Sequence, residues 1–477
     1  MNNKMTEKIT PRDVDYAQWY TDVVKNAKLC DYTDVKGCMI YLPKGQAIWD
    51  NIHYNLDKMF RETGVENVYL PMLIPESLLQ KEKDHINGFA PEVAWVTMGG
   101  NEPLEERMCI RPTSETLFCN YWQKEVKSYR DLPKIYNQWC SVLRWEKTTR
   151  PYLRSREFLW QEGHTVHASS EEAEKETRDM LNIYKKFFEE YLAIPVISGR
   201  KTKREQFAGA EYTLTIEALM YNGVSLQSAT SHYFRQKFSK AYDIKFLNKN
   251  NELEYAYQTS WGSTTRMIGG LIMVHSDDDG LVIPPRIAPI NVAIIKIGES
   301  EEMDSLTNDI YNKLIENDIS AYIDNTDKSA GFKFAEAEVN GIPIRIEIGK
   351  RDLEKGLITI TRRDTKEKYQ VSKDIDIVDY VKKLNDTIQN DMYNRALERR
   401  NSQIFEAHNL EEVEKIMNTQ PGFIKAMWCG CEECELKMKE IKGTKSRCIL
   451  ENAEPIDEKC VVCGKEAKEL VVWGIQY

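Results

Sequence analysis

The strongest constraint on the fold is a pair of stretches rich in Trp, Phe and Leu, each opening on an arginine. They are Arg144-Trp145-Glu146 and Arg154-Ser155-Arg156-Glu157-Phe158-Leu159-Trp160-Gln161-Glu162-Gly163-His164. Such residues favour strands, and the polar segment between them carries Pro151, so the spacing predicts one hairpin with its loop over 147–152. Arg144 then stands at a strand end and Arg154 just past the turn. Both guanidinium forks can reach one anion, because their planar shape suits phosphate and carboxylate oxygens. Taken alone, the pair fits equally a surface hairpin whose arginines are merely solvated.

Other segments supply the remaining parts of one site. Arg111-Pro112-Thr113-Ser114-Glu115-Thr116 ends a strand-like run and can open a helix through a Ser/Thr cap. Gln227-Ser228-Ala229-Thr230-Ser231-His232 is small-residued and rich in hydrogen-bonding groups. Trp261-Gly262-Ser263-Thr264-Thr265-Arg266 leads into Gly269-Gly270, and Gly280 to Pro289 follows. Each alone reads more simply as a cap, a polar turn or a glycine-packed helix. Jointly they resemble the signature motifs of class II aminoacyl-tRNA synthetases, and in detail those of the prolyl-tRNA synthetases. Gly64-Val65-Glu66-Asn67-Val68-Tyr69-Leu70-Pro71 matches the first class signature, the Arg144–His164 hairpin the second, and Thr264–Arg286 the third. The resemblance runs from about Tyr16 to the last residue.

The resemblance implies an activation step in which an amino-acid carboxylate attacks the α-phosphate of ATP, so two anions must be brought together. Arg144 matches the arginine expected to bridge α-phosphate and carboxylate; with Arg266 it forms the catalytic pair. Arg154, with Ser155 beside it, would hold the β- and γ-phosphates. Arg266 would stack on adenine or clamp the γ-phosphate, near Thr264, while Gln227 and Thr230 would line the ribose side; Glu146 completes the ATP set. No general base is needed, and Mg²⁺ neutralises the polyphosphate. Proline, a cationic secondary ammonium on an apolar ring, needs an acceptor and flat walls. Thr113 and Glu115 supply the acceptors, Trp160 and Phe207 the walls, His164 and His232 the polar edge. His167 and His275 fall outside the motifs and read as core residues.

The chain is long enough, at 477 residues, for two or three domains. Residues 1–287 carry the catalytic candidates, on what the resemblance implies is an α+β antiparallel-sheet domain. From Ile290 strands and helices alternate: strands Val292–Ile297, Ile319–Asp324, Ile342–Ile348 and Leu357–Arg362, helices Met303–Asn317 and Gly331–Asn340. This small α/β unit occupies 288–400 together with a charged linking helix over Ile375–Ser402. In the family resembled, this position holds the anticodon-binding domain, and Glu338 and Arg345 would read the guanines of a proline anticodon. The net charge of −10 offers no general field for nucleic acid, but a tRNA needs only a local basic face. The polar stretch Met1–Thr10 lacks an apolar core, and no apolar run approaches membrane-spanning length, so a cytoplasmic protein without a membrane partner is expected. Its implied partners are tRNA(Pro), L-proline, ATP and a second copy of itself in a homodimer.

Six of the eleven cysteines lie in residues 401–477, the expected C-terminal zinc-binding α+β domain. Cys460-Val461-Val462-Cys463-Gly464 is a knuckle for one metal ion, and a second pair upstream completes four thiolates of the structural zinc kind. Spacing alone favours Cys431 with Cys434. The resemblance favours Cys429 with Cys434, giving Cys429, Cys434, Cys460 and Cys463. The other five cysteines have no metal spacing and read as small core residues.

The family's Gln-Gly-Gly-Thr-Ser-His appears here with Ser228 and Ala229, which add Cβ atoms where backbone approaches ligand. About a hundred residues separate Gly163 from Trp261, too few for the large editing insertion of bacterial-type members; the chain resembles the archaeal- and eukaryotic-like group. Two other readings compete. A synthetase-like regulator that binds RNA without catalysis has no use for Arg144, Arg154 and Arg266. A class II enzyme for threonine, serine or glycine has no use for the ring walls Trp160 and Phe207.

Overall fold

The computed structural model describes residues 9–85 and 92–477, so most of the polar Met1–Thr10 stretch lies outside the described residues. The expected hairpin is present with a longer connection. Strands Lys134–Leu143 and Glu157–His167 pair antiparallel from Lys134↔Val166 to Leu143↔Glu157. Arg144 and Arg154 both fall in the connection, and the 147–152 loop expected from the sequence is too short. The chain there is held by other partners. Tyr20 donates to the Pro151 carbonyl at 2.8 Å and Tyr152 to the Leu29 carbonyl at 2.9 Å. Arg150 and Arg154 exchange backbone hydrogen bonds at 2.6 and 3.0 Å, closing a tight turn.

This hairpin belongs to a sheet that continues, antiparallel, through Tyr257–Thr264, Ser225–Arg235, Tyr212–Leu219 and Val196–Arg200. The Ser170–Glu190 helix covers one face, burying Met180, Leu181, Tyr184, Phe187 and Phe188; the Ser169 side chain caps its start. At the opposite edge the helix Pro43–Arg61 ends, Gly64 turns at φ +88°, and Glu66–Asn67 adds a short parallel strand beside Lys134–Leu143. The 168–256 stretch is consumed by this sheet, its covering helix, a short Lys237–Tyr242 helix and a small hairpin of Lys245–Leu247 with Leu253–Tyr255.

Beyond Ile290 a five-stranded sheet forms, in the order Ala321–Ile323, Val292–Ile297, Ile344–Gly349, Leu357–Arg362, Lys368–Ser372. The last strand escaped the sequence reading. It is a short edge strand whose inward residues, Tyr369 and Val371, are only half-buried, so it carries just two apolar positions to mark it. The linking helix spans Ile377–Ser402. The C-terminal residues then add strands Ile404–Glu406, Phe423–Trp428, Glu469–Ile475 and Thr444–Ile449 to the catalytic sheet. The last joins Val196–Arg200 through Ile449↔Arg200, giving eleven strands in all. Among the described residues no helix is long and apolar enough to cross a membrane.

Gly163 is where the hairpin meets its neighbour most closely: a Cβ there would lie 2.2 Å from the Trp261 ring. Trp261 is buried and flanked by Phe60 at 4.8 Å between ring centroids, so it has no room to yield. Gly163→Ala should therefore destabilise the chain by about 1–3 kcal/mol through overpacking. A denaturant midpoint unchanged from the parent would contradict this close approach.

Candidate active site

Every residue expected at the amino-acid and ATP subsites lines one cavity of about 280 Å³ above the catalytic sheet. Thr113 and Glu115 enter from the start of the Glu115–Glu125 helix. Trp160 and His164 share a face of the Glu157–His167 strand with Glu162, because alternate residues of a strand point the same way. Gln227, Thr230 and His232 come from Ser225–Arg235, and Thr264 and Arg266 from the junction of strand Tyr257–Thr264 with helix Arg266–His275.

Glu162 organises the amino-acid side. It is 2% exposed and accepts from the Ser114 amide at 3.1 Å, the Ser114 hydroxyl, Gln138 Nε2 at 2.6 Å and His164 Nε2 at 2.8 Å. Burial pushes its carboxyl up, but His164, Ser114 and Gln138 together hold it below the ordinary value of 4.5. For His164 burial works the other way, and Glu115 and Glu162 overcome it, raising the imidazole above 6.5. Glu115 in turn accepts from Thr113 Oγ1, and Ser260 Oγ lies 3.4 Å from it. The sequence reading passes over Glu162, although a carboxylate two residues from Trp160 and two from His164, in the midst of an apolar strand, could have marked it. Lys201 and Glu205 also line the cavity, and no sequence signal marked them.

The ring walls assemble as expected. Phe207 lies 4.7 Å from the His232 ring and 5.9 Å from Phe234. His232 is held between the hydroxyls of Thr213 (2.9 Å) and Thr230 (3.1 Å), and burial, with the His164 charge, pushes it down to about 3, so it is neutral.

The other end is cationic. Arg144 donates Nε to the Pro112 carbonyl at 3.0 Å and lies 5.3 Å over Trp160. Arg266 donates to the Leu153 carbonyl at 3.1 Å and the Gln227 carbonyl at 3.4 Å. Burial, then the charges of Arg154 and Arg144, bring Arg266 down to about 10. Arg154 is exposed, with only Glu146 near it at 3.9 Å. Three like charges at one end of a cavity oppose one another until an anion sits among them.

Two sites lie apart. Cys429, Cys434, Cys460 and Cys463 bring their sulfurs within 4.8 Å of one another, and Cys429 stands 3.7 Å from both Cys434 and Cys463. Four thiolates at about 2.3 Å from a tetrahedral zinc lie about 3.8 Å apart, so the cage fits that ion. Cys431, the alternative that spacing favoured, is exposed and outside the cluster, capping the Glu432–Glu440 helix instead. In the second sheet, Arg345 is buried and holds Glu338 at 3.0 Å and Glu347 at 2.9 Å, with Phe334 4.4 Å beneath its plane. Its donors engage Glu338, Glu347 and the Phe334 carbonyl, and Glu338 is the more exposed of the two carboxylates.

Three stretches match family models: the class II core domain of the tRNA synthetases (G, H, P, S and T) over residues 95–275, an anticodon binding domain over 291–384, and the prolyl-tRNA synthetase C-terminal domain over 410–477. The chain is 55% identical over 474 residues to a proline–tRNA ligase of Clostridium novyi, covering 99% of each. It is 57% identical over 477 residues to that of Agathobacter rectalis, again covering 99% of each. A crystal structure of prolyl-tRNA synthetase from Cryptosporidium parvum, complexed with halofuginone and AMPPNP, superposes with a TM-score of 0.94 at 37% identity, covering 98% of this chain and 99% of that one.

The buried Glu162–His164 pair carries a pH signature. Because the folded-state value of His164 is raised, its contribution is complete below pH 6.5 and is lost as pH rises through that raised value. Glu162, lowered in the fold, contributes above 4.5 and loses its share as pH falls below that. The gap in unfolding midpoint between the parent and His164→Asn should be widest near pH 5–6 and narrow on the alkaline side. A gap constant up to pH 9 would show that His164 carries no charge here.

Proposed function

The chain belongs to the prolyl-tRNA synthetases, within class II of the aminoacyl-tRNA synthetases, and from that premise we propose how its residues divide the reaction. It activates L-proline with Mg-ATP, releasing pyrophosphate, and transfers the prolyl group to the 3′ end of tRNA(Pro). The observation that carries the assignment is the convergence of Arg144, Arg154 and Arg266 on one cavity with Glu115 at its other end.

Glu115, steadied by Thr113, takes the prolyl ammonium, and Trp160, Phe207 and the neutral His232 enclose the ring. Glu162 and His164 sit behind, fixing the Thr113–Glu115 segment. The proline carboxylate then points toward Arg144, whose second duty is the α-phosphate. Arg154, with Ser155 and Glu146, holds the outer phosphates. Arg266 and Thr264 clamp the nucleotide, with Gln227 and Thr230 on the ribose side. No side chain need remove a proton, since the nucleophile is already an anion. The rate comes from holding two anions in line and from cations placed where charge gathers on phosphorus.

We assign the wider architecture to match: catalysis in 1–287, anticodon recognition through Glu338 and its support Arg345 in 288–400, and a structural zinc on Cys429, Cys434, Cys460 and Cys463 in 401–477. A cytoplasmic homodimer without an editing domain completes the proposal.

Arg144→Ala should reduce proline-dependent ATP–pyrophosphate exchange by at least about a hundredfold while the thermal midpoint holds. Glu338→Ala should leave that exchange intact and lower aminoacylation of tRNA(Pro) by about tenfold or more. Full exchange in the first variant, or equal losses in both assays for the second, would overturn the respective assignment.

The metal assignment is checked separately. Elemental analysis should find about one zinc per chain, with a zinc–sulfur distance of roughly 2.3 Å by X-ray absorption. Cys429→Ser should lose the metal and Cys431→Ser should keep it; the reverse pattern would restore the ligand set that spacing alone suggested.

A further inference from the structure

The loop that carries the Phe207 wall has little to hold it from within. Residues 201–211 form turns, and Thr202 accepts at its carbonyl from the Glu205 and Gln206 amides at 3.1 and 2.9 Å. Thr213 steadies both ends, accepting from the Phe207 amide with its hydroxyl at 3.1 Å and from the Lys201 amide with its carbonyl at 2.8 Å. The loop's first residues are held from behind by the C-terminal residues. Glu435, on the Glu432–Glu440 helix, is 5% exposed and takes the Thr202 hydroxyl at 2.8 Å, together with the Ser446 hydroxyl. Glu432 faces Arg204 at 3.5 Å, and Lys445 faces Glu205 at 3.8 Å. At the loop's start, Lys201 reaches buried Glu217 at 2.7 Å, and Arg447 of the Thr444–Ile449 strand reaches the same carboxylate at 3.2 Å.

We infer that the C-terminal unit is a positioning element of the amino-acid pocket, and that Glu435 is the residue through which it sets the Lys201–Phe207 loop. A carboxylate buried this far is costly unless its acceptor capacity is used, and it is used on the first residues of that loop. The flanking pairs are more exposed and add register rather than much energy. Thr202 is fixed by the side chain it donates to; the turn it nucleates is fixed by its carbonyl; and the turn delivers Glu205, Gln206 and Phe207 to the cavity wall. The ATP end of the cavity is built by other elements, the 144–156 connection, the Ser225–Arg235 strand and the Arg266–His275 helix, none of them bonded to Glu435. A fault at Glu435 therefore reaches proline and spares ATP. The inference rests on the assignment of Phe207 to the proline subsite.

The test uses the full-length enzyme with its metal, in pyrophosphate exchange, titrating proline and ATP separately. Glu435→Gln keeps the size and one acceptor oxygen; Thr202→Val removes the donor while keeping the shape. Each should raise the KM for proline roughly tenfold, as loss of a buried hydrogen bond to a charged group does. The KM for ATP, the zinc content and the thermal midpoint should stay near the parent's. The double variant should be no worse than Thr202→Val alone, because the charge lost in Glu435→Gln acts through the contact that Thr202→Val already removes. Equal rises for proline and ATP, or additive effects, would overturn the positioning role and leave a merely structural one. Phe207→Leu separates the two levels of the argument. If it raises the proline KM while Glu435→Gln does not, only the inference fails. If neither moves it, the pocket assignment fails and takes the inference with it.

Discussion

The site depends first on a buried negative charge. Glu162 lies buried on an interior strand of the main sheet, where an unpaired carboxylate would cost several kcal/mol. It is tolerated because donors close around it from three elements. Ser114 lies at the head of a helix, Gln138 is on the neighbouring strand, and His164 is two residues along its own strand. Each bond that stabilises Glu162 also fixes the element that donates it. Ser114 cannot shift without leaving that carboxylate unsatisfied, so Glu115, the next residue, is held at the cavity. The charge that needs most support thus determines where the neighbouring charge points.

The opposite end of the cavity follows the reverse logic. Arg144, Arg154 and Arg266 have carbonyls and aromatic faces as neighbours, with only Glu146 as a distant anion for Arg154. Burial, and after it their mutual repulsion, brings Arg266 down to about 10. The fold keeps this arrangement because a triphosphate and a carboxylate relieve it. In the proposed reaction, proline's ammonium takes the carboxylate end and its reacting carboxylate the cationic end, so the polarity of the cavity would orient the substrate along its own dipole. Binding and alignment are one electrostatic event.

How much of this was legible in the sequence varied with the kind of signal. Arg144, Trp160, His164, Gln227, Thr230 and Arg266 stood in strings whose residue types have few structural uses together, and the strand period put the right ones on one face. Strands such as Val292–Ile297 and Leu357–Arg362 were bounded correctly because they are apolar and β-branched. Lys201 and Glu205 were not legible. Lys201 meets Glu217 across the neighbouring strand, and Glu205 faces Lys445, far along the chain. For Arg345 the sequence shows a cation near Glu338, and the fold adds Glu347 and the Phe334 ring as its other neighbours. The hairpin connection was drawn too short because Tyr20 and Tyr152, which pull it out of the ladder, bond to backbone far away in the chain.

The continuity of the sheet gives the C-terminal residues a meaning that domain boundaries obscure. Without them Val196–Arg200 would be an edge strand beside the amino-acid pocket, with unpaired backbone groups open to any passing strand. The Thr444–Ile449 strand covers that edge, yet the backbone join is a single pair, Ile449↔Arg200. One pair cannot hold two sheets in register, so the load passes to side chains: Arg447 and Lys201 meeting on Glu217, and Glu435 meeting Thr202. The chain's end follows the same course. The Tyr477 amide donates to the Ser225 carbonyl at 3.0 Å, and Arg150, from the connection that also carries Arg154, lies 5.5 Å over the Tyr477 ring. Ser225 opens the strand that bears Gln227 and Thr230. The last residue of the chain is therefore packed between two segments that line the ATP end, which ties the folding of the C-terminal unit to the finished shape of the cavity.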